Sequence, residues 1–176
     1  MKTKTYSTLE ILNVLAWYKQ KSTGANNMFN ELPLKTQWYL RENISKLSKI
    51  ADQFDEDKET EAKKLLDEFS SDEKSRIVTE PDGSKIREVR PEYLEEFNMA
   101  LDLSKVKTQE ILNQKHEIEI STVSIDEIVE NLKSDTKFTI SDLDMLYFMD
   151  ENFWCNLIGG LHINGSVKRP FSNRSK

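Results

Sequence analysis

The side chains in this chain best placed to do chemistry form two opposed groups: ten acids between residues 52 and 73, and four cations near the C-terminal end of the sequence. The acids stand at 52, 55, 56, 57, 59, 61, 67, 68, 72 and 73, against lysines only at 58, 63 and 64. Carboxylates at that density can coordinate a cation, imitate the charge of a nucleic-acid backbone, or solvate a helix. A calcium loop needs a glycine and a terminal glutamate at fixed offsets, and the pair Asp55 and Asp57 has neither. Acids and lysines three and four residues apart, such as Glu59 and Lys63, relieve part of the repulsion and favour a solvated helical face. On that acidic helix face the candidate contact residues are Asp55, Glu56, Glu59, Asp67 and Glu68.

The other reactive groups are sparse. Cys155, the single cysteine, lies in an apolar run after Trp154 and reads as a packed thiol; one cysteine excludes an intrachain disulfide framework and fits a reducing compartment. His116 and His162 are 46 positions apart with no cysteine near either, so surface positions are expected rather than metal ligands. No serine sits in a Gly-x-Ser-x-Gly elbow and no glycine-rich phosphate loop occurs. The sequence therefore predicts no catalytic residues, no metal site, no cofactor and no enzyme.

Charge divides the chain. Residues 1–151 hold 21 basic and 31 acidic side chains, a balance of −10, whereas the last 25 residues hold four basic and no acidic ones, a balance of +4. A helical domain over 1–153 and an irregular basic arm over 154–176 are expected, the arm lacking fixed structure in isolation. Lys168, Arg169, Arg174 and Lys176, with Phe171 as apolar anchor, are its candidate partner-binding residues. Their complement is an acidic surface, on a partner or on the chain's own acidic helix, and a partner is the favoured reading.

The elements that must carry these groups read mainly as helices. Ser7 and Glu10 have capping-box spacing ahead of Ile11, Val14, Leu15 and Tyr18, which predicts a first helix from Thr8 to Lys21. Turn-forming residues 22–27 end it. After Pro33, the residues Leu34, Trp38, Ile44, Leu47, Ala51 and Phe54 and then Ala62, Leu65, Leu66 and Phe69 mark one stripe. A helix over 34–70, broken or unbroken near Asp55, would pair with the first as an αα-hairpin. Residues 76–79 and 85–89 flank Pro81, Asp82 and Gly83 as a β-hairpin. Pro91 opens a helix burying Tyr93, Leu94, Phe97, Leu101, Ile111 and Leu112. The alternation in 116–123 turns Ile118 and Ile120 inward on a strand able to extend the hairpin to three. Ser124 with Glu127, and Ser141 with Asp144, cap two short helices, the second carrying Leu143, Leu146, Met149 and Phe153. The fold class is mostly α with a small β element.

Composition agrees with a protein of extensive surface: 176 residues, 37% hydrophobic and 32% charged, one core with extensions. The stretch from Leu9 to Tyr18 is interrupted by Glu10 and Asn13 and reads as no signal peptide, and no apolar run is long enough to span a membrane. The net charge of −6 disfavours nucleic acid as a partner, and four tail cations would neutralise few phosphates.

In order along the chain, residues 8–15, Leu32 and Pro33 before a tryptophan-bearing helix, Asp82 and Gly83, residues 91–98, the alternating 117–120 and residues 141–149 form a pattern. It resembles a family of small uncharacterised proteins of tailed bacteriophages, especially phages of low-GC hosts, over about residues 8–150. The resemblance implies a phage context and transfers no catalytic residue; the last 26 residues and the long acidic region go beyond it. The expectation is a non-enzymatic bacteriophage structural or assembly protein, contacting other phage structural proteins or its own copies in a virion, neck or tail complex. The alternative is a phage-encoded acidic inhibitor or regulator of a host factor. Either would act in the host cytoplasm during infection, the first also in the virion.

Overall fold

A computed structural model describes residues 1–23, 27–132 and 138–150. Strand β1 (Lys2–Ser7) leads into α1 (Thr8–Ser22), and α2 (Leu34–Phe69) follows a short 3-10 turn over Met28–Glu31. Then come β2 (Ser75–Thr79), β3 (Lys85–Val89), α3 (Leu94–Asn113) and β4 (Lys115–Ile120). Helices α4 (Ile125–Asn131) and α5 (Ile140–Leu146) and a 3-10 turn over Tyr147–Met149 complete the described chain. The class is mostly helical with a small β element, as the sequence predicts, and that element is two separate two-stranded antiparallel sheets rather than one hairpin with an added strand.

Local chemistry explains the helix boundaries. Ser7 Oγ accepts from the Glu10 N–H at 3.2 Å while the Glu10 carboxylate accepts from the Ser7 N–H at 2.6 Å, so the reciprocal cap starts α1 where expected. Pro33 is the N-cap of α2, one residue ahead of the first turn. No glycine or proline interrupts its 36 residues, so it runs through Asp55 without a break and extends about 54 Å at 1.5 Å per residue. The cap of α5 falls two residues earlier than predicted: Thr139 and Asp142 form the box, and Ser141 and Asp144 are exposed. Threonine serves there as well as serine, and Asp142 is held by other elements too. Phe153 lies outside the described residues.

One core joins α1, the first half of α2, the β1–β4 ribbon and the C-terminal elements. Ile11, Trp17, Leu40, Leu47, Ile120, Ile128, Leu146 and Met149 are all buried in it. In the first half of the predicted α2 stripe two members are not: Leu34 is 82% exposed and Trp38 65% exposed, because the buried face of the helix there carries Thr36, Leu40, Asn43 and Ile44. Asn43, fully buried, acts as an extra rung at the end of β4. Its amide donates to the Ser121 carbonyl and accepts from the Ser121 N–H, both at 2.9 Å, so two backbone groups beyond the strand stay satisfied.

The predicted third strand exists but pairs elsewhere. β4 lies antiparallel to β1, with Lys4 opposite Ile118 and Tyr6 opposite His116, and β2 and β3 form a separate two-stranded sheet. Ile118 and Ile120 do face the core. β1 escaped the sequence reading because its inward positions include Lys4, a charged residue that hides the alternation. Lys4 is only 1% exposed, and its ammonium donates to the carbonyls of Phe148 at 3.1 Å and Asp150 at 2.5 Å. Burial brings its pKa down to about 8, against the pull of the nearby Asp150 carboxylate. The Tyr6 hydroxyl also donates to Phe148 O, so β1 ties the start of the chain to the 3-10 turn near residue 150.

Candidate functional site

Beyond Phe54 the long helix leaves this core. Between Phe54 and Phe69, which is itself buried at the far end, no side chain of α2 is fully buried, and no residue of α3 is. The two helices run antiparallel: the rings of Phe69 and Phe97 meet edge-to-face at 5.1 Å, Glu61 pairs with Lys107 at 3.4 Å, and Ile111 borders the same cavity as Ile50 and Phe54. The chain thus goes out along α2, turns through the β2–β3 hairpin, and returns along α3 as a two-helix arm. Tyr93, Phe97, Leu101, Ile111 and Leu112, expected to be buried, are half-buried, and Leu94 is exposed, because α2, the hairpin and, at the C-terminal end of α3, the start of α1 cover them only in part.

The hairpin is fastened to the tip of the arm by charge-assisted bonds. Arg87 donates to Asp72 at 3.0 Å and to the Ser70 carbonyl, and Arg90 donates to the carbonyls of Ser75 at 3.0 Å and Asp72 at 3.1 Å. Lys74 sits 4.6 Å over the Phe69 ring and pairs with Glu96 at 2.7 Å and Glu68 at 3.1 Å, and those two carboxylates raise its pKa. Gly83 takes the positive φ of 84° that the turn requires.

Between these elements lies an apolar groove of about 370 Å³. Ala62, Leu65, Leu66 and Phe69 supply one wall, Phe97 and Leu101 the other, and Val89 and Arg87 close the hairpin end. Leu66, predicted to lie in the buried stripe, is 66% exposed on its lip. A second apolar strip lies on the opposite side of α3, where Met99, Leu103 and Val106 recur at helical spacing and are all more than half exposed. Sequence reasoning missed this strip. Its signal was a helix apolar on two faces, at 97 and 101 and again at 99, 103 and 106.

The predicted acidic residues all lie on this arm or at its root. Asp55, Glu56, Glu59, Asp67 and Glu68 are exposed, spread over about 20 Å of helix rather than brought together. Asp55 borders a cleft with Leu15, Tyr18 and Lys19 of α1, Glu56 and Glu59 border a shallow depression with Lys63, and Glu68 is paired to Lys74. Among the described residues no three His, Cys, Asp or Glu side chains converge as a metal site. Lys168, Arg169, Phe171, Arg174 and Lys176, together with Cys155 and His162, lie outside the described residues.

His116, half-buried on β4, makes one polar contact of note, 2.9 Å between its Nε2 and Thr8 Oγ1. Thr8 is buried at the start of α1, and among the described residues no carboxylate is bonded to the ring to orient it as a base. The most heavily partnered acid, Asp142, is a joint: it accepts from the Trp17 indole at 3.0 Å, pairs with Lys21 at 3.0 Å and caps α5. Burial raises its pKa, but the bonds from Thr139, Trp17 and Lys21 outweigh that and bring it down to about 2. Among the described helices, none is long and apolar enough to cross a membrane.

Comparison with protein families, with curated proteins and with solved structures finds no match to this chain.

Proposed function

We propose that this protein is a non-enzymatic bacteriophage structural or assembly protein that works by protein–protein contact, with the α2–α3 arm as its docking element. The observation that supports this reading is the arm itself: apolar surface on two sides of α3, held away from the core and left uncovered by the chain's described residues. Exposed apolar surface of that extent is a liability in a lone protein and an asset in an assembly. Its chemistry also describes the partner. Glu95, Met99, Leu103, Val106 and Glu110 share one side of α3 by spacing, so an antiparallel second copy would set Glu95 against Glu110. A partner surface with an apolar centre and a basic rim fits better. The phage context rests on the sequence resemblance, and with it the host cytoplasm and the virion as places of action. Mass spectrometry of purified particles and assembly intermediates tests this: the protein is expected in one or both, and its absence from both overturns the proposal.

The exposed acids of α2 favour a second reading, an inhibitor that lays Asp55, Glu56, Glu59, Asp67 and Glu68 into a nucleic-acid-binding groove of a host factor. Capture of a host nucleic-acid-binding protein that weakens steeply with salt is its expected mark. Capture unaffected by charge reversal of these acids contradicts it.

A further inference from the structure

The acidic flank of the groove between α2 and α3 and the cationic end of the chain complement each other in charge, and Phe171 matches the apolar lining. By helical spacing Asp55, Glu59, Ala62 and Leu66 form one ridge of α2, so the apolar lip of the groove continues directly into exposed carboxylates toward the root of the arm. Residues 52–73 carry ten acids against three lysines, whereas residues 168–176 carry four cations, no acid, and Phe171 in their midst. Arg87, the cation lining the groove, is already paired to Asp72 at 3.0 Å, and Lys63, near Glu59, offsets only part of the acidity.

Reach favours the chain's own end over a neighbour's. Phe171 is 21 residues beyond Asp150, the last described residue, a tether of up to about 70 Å when extended. The arm from Asp55 to Phe69 is about 22 Å long. A segment tethered this way meets its site at an effective concentration near millimolar, above that of a second copy in ordinary solution.

We infer that residues 166–176 dock on the arm of their own chain, Phe171 entering the groove between Leu66 and Leu101 while Lys168, Arg169 and Arg174 lie along the Asp55–Glu59 side. The inference rests on the reading of the groove as a docking surface. It adds a built-in occupant, which an assembly partner must displace.

The test uses the full chain with a nitroxide on a cysteine at position 173 (Asn173→Cys, Cys155→Ser). Paramagnetic loss of methyl signal is expected at Leu65, Leu66 and Leu101, independent of protein concentration and weakened by added salt. Adding Phe171→Ala should restore those signals. Leu66 is exposed, so Leu66→Asp offers a second disruption that leaves the fold intact. Undiminished groove methyl signals would overturn the inference. So would a loss seen only when label and methyls are on different molecules, which means exchange between copies. Either failure leaves incorporation into particles, the test of the assembly reading, untouched.

Discussion

At the scale of single residues, the polar groups inside this protein are joints between distant parts of the chain. Asp142 links α1 to α5 through Trp17, Lys21 and Thr139, and its folded pKa of about 2 lies below the ordinary 3.8. The unfolded chain binds this proton more readily, so the stabilisation is complete above pH 4 and fades as pH falls toward 2. Asp142→Asn should lower stability by about 2 kcal/mol at neutral pH and remove that acid-side decline, as denaturant melts between pH 2 and 7 would show. Lys4 behaves in the opposite sense. Its folded pKa of about 8 lies below the unfolded 10.5, so the unfolded state holds more protons between those values and stability rises with pH from about 8. Tyr6, whose pKa burial raises, opposes this only above pH 10. Lys4→Met should flatten the rise between pH 8 and 10, measured by the same melts; a slope unchanged by the substitution would assign it to another group.

At the scale of elements, the core and the arm should differ in local stability. α3 buries no residue fully, whereas α1 buries Ile11, Val14 and Trp17, so the amides of α3 are expected to exchange by local opening and those of α1 only on global unfolding. Hydrogen exchange by mass spectrometry resolves the two; equal protection would mean that the arm belongs to the core's cooperative unit. Gly83→Ala, strained at φ 84° though no atom lies within 4 Å of the added carbon, should cost about 1 kcal/mol, felt as faster exchange in β2 and β3 rather than a lower melting temperature. Elements with strong local chemistry were legible in the sequence: the Ser7–Glu10 cap, the uninterrupted α2, the Pro81–Asp82–Gly83 turn and the alternation ending at Ile120. What it concealed was set by tertiary partners. β1 carries a lysine on its inner face, β4 therefore found no visible mate but the hairpin, and the apolar positions of α3 gave no sign that α2, the hairpin and the start of α1 would cover them only in part. The acidic face was legible as solvated surface, while the groove beside it needed the return path of α3 to exist.

At the scale of the whole molecule, a core built from both ends of the described chain holds out an arm whose apolar surface exceeds what the fold needs. Lys4 and Tyr6 fix the N-terminal strand to Phe148 and Asp150, and Asn43 fixes α2 to the end of β4, so the half of α2 that carries the arm is tied into the core. That division of labour is the central claim: stability in the core, contact through the arm. It is tested most directly by measuring incorporation of Leu66→Asp into phage particles and assembly intermediates beside the wild type, with melting temperatures of the two purified proteins as control. The exposed position of Leu66 makes an unchanged melting temperature and a loss of incorporation the expected pair of results. Incorporation at the wild-type level, with the charge seated in the groove, would contradict docking through the arm.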